Sequence, residues 1–256
     1  MSETEFYVGY FPKAGAALAR FLRRRILTLV LLAAGVAVAV ALWSPRLGRG
    51  RFEYGTVRDL DGRVIESPYP LLAVSGCDTA LGGCGSGDPD WSYYVLVGQG
   101  KHGAGPSVRG WSGHTVRLSG TLFERDGDRG LEVAAPLREI AARPGQLDPL
   151  EDLGHLSLTG EIVDAKCHLG VMTPGEGVTH RGCAIQCIAG GSPPLFVAHD
   201  SAGHDWRFLL TDAEGQAVGD RVLEFVAEPV RITGRASRMG NLLFLAVEPS
   251  TIERLR

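Results

Sequence analysis

The chain has 256 residues, of which 45% are hydrophobic and 21% charged, and its formal net charge is −3. That is enough apolar chain for one large domain or two small ones, and it excludes a disordered polyelectrolyte. The nearly balanced charge gives no electrostatic reason to expect a nucleic-acid partner.

Residues 1–25 carry Lys13, Arg20, Arg23, Arg24 and Arg25, and no acidic residue lies between Glu5 and Glu53. Residues 26–43, from Ile26 to Trp43, are uncharged and almost wholly apolar. At about 1.5 Å per residue they nearly span the roughly 30 Å hydrocarbon core, with Trp43 placed for the interface. A buried core helix would carry a polar stripe, and a cleaved signal peptide would want a shorter apolar region with small residues at its exit; Leu42-Trp43-Ser44-Pro45 offers neither. The expectation is a retained transmembrane helix. The basic residues before it outnumber Arg46, Arg49 and Arg51 after it, which favours a cytoplasmic N-terminus. In a bacterium this is a single-pass inner-membrane protein with the bulk of its chain in the periplasm, where disulfides persist.

The remainder is rich in glycine and β-branched residues, and it reads as two similar units. In residues 52–140, Gly55-Thr-Val-Arg-Asp59 is matched to Gly160-Glu-Ile-Val-Asp164 in residues 157–256. The stretch Ser67 to Val74 is matched to Ser192 to Ala198, Trp91 to Leu96 to Trp206 to Leu210, and Val116-Arg-Leu-Ser-Gly120 to Val230-Arg-Ile-Thr-Gly234. Leu131 is set against Leu243, and Leu137 to Ile140 against Ile252 to Leu255. Each unit has about five short strands separated by turn residues such as Asp61-Gly62 and Met239-Gly-Asn241, and Val116, Leu118, Val230 and Ile232 show the alternation of half-buried strands. The expected fold class is mainly β: two tandem OB-like small barrels joined by a polar linker, 141–156, behind the membrane helix.

Unit one contains Cys77 and Cys84 in a glycine-rich loop, most simply a disulfide outside the cytoplasm. It also contains Gly98-Gln-Gly100-Lys-His-Gly103, which matches a dinucleotide-binding fingerprint. Ala104-Gly105-Pro106 then stands where the required helix should begin, so that reading fails. Asp59 and Asp164 are read as turn caps at equivalent strand ends.

Unit two differs from unit one by an insertion, 165–191, between its first two strands, where OB barrels commonly carry a binding loop. It holds Cys167, His168, Met172, His180, Cys183 and Cys187. A helix capped by Thr179 and stopped by Gly190-Gly191 would place His180, Cys183 and Cys187 on one face. Cys167 and His168 would point to opposite sides, so one of them joins the cluster. Cys167, giving Cys₃His, is preferred; the ion is zinc or copper, with Met172 as a further copper ligand. A disulfide from Cys167 to Cys183 or Cys187, leaving one free thiol, is the main alternative, and thiol redox cycling is a third. The spacing fits neither covalent haem nor an iron–sulfur centre. No catalytic triad or paired-carboxylate motif appears.

The motif Gly160-x-Ile-x-Asp164-x-x-Cys167, then His180-x-x-Cys183-Ala-x-x-Cys187 and Gly191-x-Pro193-Pro194, resembles that of a group of little-characterised bacterial membrane-anchored or exported proteins with a small OB-like barrel. The resemblance covers roughly the last hundred residues and implies an envelope location without supplying an activity. The combined expectation is a non-enzymatic, membrane-anchored accessory protein, associated with a membrane-embedded redox or respiratory complex. Its alternative is a disulfide-stapled structural or partner-binding module.

Overall fold

In the computed structural model, residues 15–43, 50–76, 91–141, 145–199 and 205–255 are described. The chain divides into two compact units, Met1–Leu47 and Gly48–Arg256. The first consists of helix α1, Ala16–Trp43, in which no residue is buried. It begins ten residues before the expected apolar span because Ala16, Ala17, Leu18, Ala19 and the arginines that follow are all good helix formers. At about 42 Å it is long enough to cross a bilayer, and its composition is apolar enough.

The second unit contains two closed five-stranded barrels. The first is built from β2 (Arg58–Ile65), β3 (Leu71–Ser75), β4 (Trp91–Val97), β5 (Thr115–Arg125) and β6 (Asp128–Val133), preceded by the short β1 (Gly50–Phe52). The turn of helix α2 (Gly105–Val108) lies between β4 and β5, and β7 (Arg138–Glu139) follows β6. The second barrel uses β8 (Glu151–Asp164), β9 (Pro194–His199), β10 (Asp205–Thr211), β11 (Pro229–Met239) and β12 (Leu242–Ala246). Helix α3 (Arg181–Ala189) lies between β8 and β9, and β13 (Glu253–Arg254) closes the chain.

Both barrels follow one connectivity, that of the OB type. The first three strands form an antiparallel meander; the last runs parallel to the third; the fourth closes the circle between the last and the first. The extra strands match as well, since β7 pairs with Val116 and Arg117 and β13 with Val230 and Arg231.

Strand register corrects the first of the sequence matches. Val116 pairs with Gly62, and Val230 pairs with Gly160. The counterpart of Gly160 is therefore Gly62 rather than Gly55, and Gly62-Arg-Val-Ile-Glu66 corresponds to Gly160-Glu-Ile-Val-Asp164. A Cβ on Gly62 would lie 2.6 Å from the Ala73 carbonyl oxygen, and one on Gly160 2.0 Å from that of Val197. Glycine is needed at both because the neighbouring strand passes too close for a side chain. Glu66, not Asp59, stands where Asp164 stands. The first barrel needs only residues 66–70 between its first two strands, whereas the second uses 165–193. Likewise, Leu131 packs against Gly120 as Leu245 packs against Gly234, so the last strands align two residues away from the expected match.

Each barrel has its own interior, formed around Leu72, Tyr94, Leu118 and Leu131 in the first and around Phe196, Phe208, Ile232 and Leu245 in the second. A third apolar cluster joins them. Leu71, Tyr93 and Val95 on the outer face of β3 and β4 meet Leu195, Val197 and Leu209 on the outer face of β9 and β10. These strands are buried on both faces, which is why Tyr93 to Val97 and Leu195 to Ala198 are continuous apolar runs. By contrast β11, with one face in solvent, alternates strictly.

The segment between the barrels is not a free linker where it is described. Strand β8 already begins at Glu151, Trp91 Nε1 donates to the Gln146 carbonyl at 2.8 Å, and the Asp148 N–H donates to the Tyr93 hydroxyl at 3.0 Å. The β11–β12 turn reaches back as well. Asn241 accepts from the Tyr93 N–H at 2.7 Å and donates to the Tyr93 carbonyl at 3.1 Å, completing a stretch of β4 edge.

Candidate metal centre

Strand β8 delivers Asp164, fully buried, to the point where the insertion leaves the barrel. The chain turns at once: Asp164 Oδ1 accepts the Cys167 N–H at 2.9 Å, and a π-helical turn runs over Cys167–Val171. This turn lies against the first barrel so closely that a Cβ on Gly170 would sit 2.5 Å from the Arg51 carbonyl oxygen. The chain returns at His180, whose backbone carbonyl opens α3 by accepting from Cys183 and Ala184. The cap position falls on His180 rather than Thr179, without a side-chain cap, and the His180 ring is turned to Asp164.

The expected residues fall into two overlapping sets. Cys167, His180 and Cys183 present ligand atoms within 4.8 Å of one another, and so do Asp164, Cys167 and Cys187; Cys167 is common to both sets. The Cys167 and Cys183 sulfurs are 3.9 Å apart, and all three cysteines are free thiols. Asp164 Oδ2 lies 3.1 Å from His180 Nε2, which leaves Nδ1 as the ring's candidate ligand atom. The thiols are electrostatically unequal. Hydrogen bonding to Cys187, burial and the Asp164 carboxylate hold Cys167 above the ordinary thiol range. Cys187 is drawn below that range, chiefly by its hydrogen bond from Cys167, and burial raises Cys183.

His168 and Met172 stand apart. His168 faces away from the thiols into the junction of the barrels, 2.9 Å from Arg125 Nη1 and 3.3 Å from Arg207 Nε, with Glu176 also 3.3 Å away. Burial first, then the two arginines, pushes its pKa well below the usual histidine range, so the ring is neutral. Met172 is nearly half exposed and is tied to the site through its N–H on the Cys167 carbonyl. Cys77 and Cys84 lie outside the described residues.

Other residues at the site carry no sequence motif for it. Lys166, 3% exposed, donates to the carbonyls of Gly98 and Gly100 at 2.8 and 2.7 Å and pairs with Glu132. The glycine-rich loop that failed as a dinucleotide site therefore has a packing role. The Gly103 N–H donates to the Gly190 carbonyl at 2.8 Å, and Lys101 Nζ donates to Gln186 of α3. A Cβ on Gly190 would come within 1.8 Å of the Lys101 carbonyl oxygen, and one on Gly103 within 2.0 Å of that of Gly191. Asp164 acts as the expected turn cap on Cys167, but its second oxygen, aimed at His180, had no sequence signal.

Compared with protein-family models, with curated proteins and with solved structures, the chain matches none. The site is therefore interpreted from its own geometry.

Proposed function

We propose that this is a membrane-anchored, extracytoplasmic metal-binding protein whose second barrel holds one zinc or copper(I) ion through Cys167, His180, Cys183 and Cys187. The observation that carries the reading is the 3.9 Å separation of the Cys167 and Cys183 sulfurs. Two thiolates at about 2.3 Å from a tetrahedral zinc stand about 3.8 Å apart, whereas a disulfide needs about 2.05 Å. The Asp164–His180 contact supports it, since a carboxylate behind a ligating imidazole fixes the ring and raises its basicity. The anchor, the basic residues ahead of it and the resemblance to exported bacterial proteins support a cytoplasmic N-terminus and a periplasmic bulk. The soft ligand set together with the membrane anchor favours an accessory subunit of a membrane-embedded redox or respiratory complex.

The same short sulfur separation supports a second reading, in which Cys167 and Cys183 oxidise to a disulfide and Cys187 stays free. Full-length protein purified in detergent, analysed for bound metal and for free thiols in the same sample, separates the two. About one equivalent of zinc or copper that disappears in Cys187→Ser supports the metal site. No metal, with a single reactive thiol left in the cluster, overturns it in favour of the disulfide.

A further inference from the structure

We infer that Cys183 is the ligand through which the ion enters and leaves, and that Lys101 guides an anionic, thiol-bearing exchange partner to it. This rests on the metal reading and adds that the site is built for transfer rather than for permanent retention.

Asp164, Cys167, His180 and Cys187 are each 4% exposed or less, while Cys183 is only partly buried, so solvent reaches the cluster from its side. A buried ion changes hands only where an incoming ligand can touch it, and three sides are closed by β8, the π-helical turn and the inward face of α3, where Ala184, Cys187 and Ile188 are buried. The fold does not require the cluster in order to close a barrel, because the first barrel does so with residues 66–70 alone.

The second observation is the cation at that opening. The Lys101 ammonium donates to Gln186 on the solvent side of α3, one turn along from Cys183. Its loop cannot drift, because Gly103, Gly190 and Gly191 lock backbone against backbone. A positive charge held on α3 one turn from a partly exposed metal thiolate favours an incoming anion.

The exchange step is a ligand substitution without electron transfer. An incoming thiol RSH loses its proton as its sulfur bonds the ion; the bond from the ion to Cys183 breaks, and the Cys183 sulfur takes up a proton. The metal's oxidation state is unchanged. Repetition at the remaining ligands passes the ion to a thiol-bearing acceptor, and the reverse sequence loads the site.

The test uses full-length, zinc-loaded protein in detergent. Zinc release to a chromogenic chelator is followed at low salt with either mercaptoethanesulfonate, an anionic thiol, or cysteamine, a cationic one. The anionic thiol should release zinc faster, by up to about thirtyfold, because the two thiols differ by two charge units, each worth up to about sixfold at about 4 Å in water. Lys101→Met should level the two rates and Lys101→Glu should reverse their order, with zinc content measured in the same samples. Cys183→Ser, which opens the coordination position, should shed zinc without added thiol. If zinc is held but its release is insensitive to thiol charge and to residue 101, or proceeds only at the rate of unfolding, the exchange role is overturned while the metal site stands. A chain that never holds zinc or copper overturns both.

Discussion

Asp164 and His180, sixteen positions apart in the chain, face each other across 3.1 Å with both side chains buried, and the other Asp164 oxygen holds the Cys167 backbone. One carboxylate therefore positions two of the four proposed ligands. Asp164→Asn keeps an acceptor for Cys167 but loses the charge behind the imidazole. The expected result is metal binding weakened by about 10–100-fold, the range for a residue that orients a ligand. Competition with a chelator of known affinity measures it. Unchanged affinity would mean that His180 does not ligate the ion.

The contact of Gly103 with Gly191 makes a second prediction. Gly103→Ala places a methyl group 2.0 Å from a backbone oxygen that no rotamer change can move. It should lower stability by about 1–3 kcal/mol or more and loosen α3 against the first barrel. Gly105→Ala nearby meets nothing within 4 Å and serves as the control, with little or no loss. Thermal unfolding of the pair separates steric overlap from a general dislike of substitution in this loop.

Asn241 provides a third. Its amide takes both the N–H and the carbonyl of Tyr93, so Asn241→Ala removes two hydrogen bonds across the junction and strands two backbone groups. The expected cost is about 1–3 kcal/mol in denaturant unfolding. Asn241→Asp, which can accept but not donate, should fall between alanine and the parent. Equal stability of all three would show that water replaces the amide.

Much of this architecture was legible in the sequence, and the failures have identifiable physical causes. The fourth strands, Val116 to Gly120 and Val230 to Gly234, align as read because both keep one face in solvent and so retain their alternation. The first strands were misaligned because Gly55 serves a turn at φ 81°, whereas Gly62 is a glycine only because the Ala73 carbonyl passes beside it, a cross-strand fact. The polar linker read over 141–156 overlaps the start of β8 at Glu151 and is tied to the first barrel, because the polar ends of Trp91 and Tyr93 bind Gln146 and Asp148. At the site, the gathering of Cys167 with His180 and Cys183, and with Cys187, was legible in helical spacing and residue type. Asp164 behind His180, and Lys101 on Gln186, were not, because the first depends on the return of a long insertion and the second on the docking of the other barrel.

The junction also carries a titratable group whose effect on stability has a definite sign. Asp128 faces Arg207, with Nη1 at 3.1 Å, and has Asp126 as a second carboxylate on the same guanidinium; Arg207 also reaches Asp205 and His168. Burial is the main cause that raises the Asp128 pKa from 3.8 to about 6, with Arg207 opposing it and Asp126 adding to it. The folded chain therefore keeps this proton at pH values where the unfolded chain has lost it. Its contribution to stability is fully present below about pH 4 and is lost as the pH rises through about 6. Asp128→Asn, neutral at every pH, should not show that loss. The melting temperature of the variant should therefore gain on that of the parent between pH 4 and about 6.5 and run parallel to it above. Curves that run parallel throughout would place the Asp128 pKa back in the ordinary carboxylate range and remove its contribution to stability on acidification.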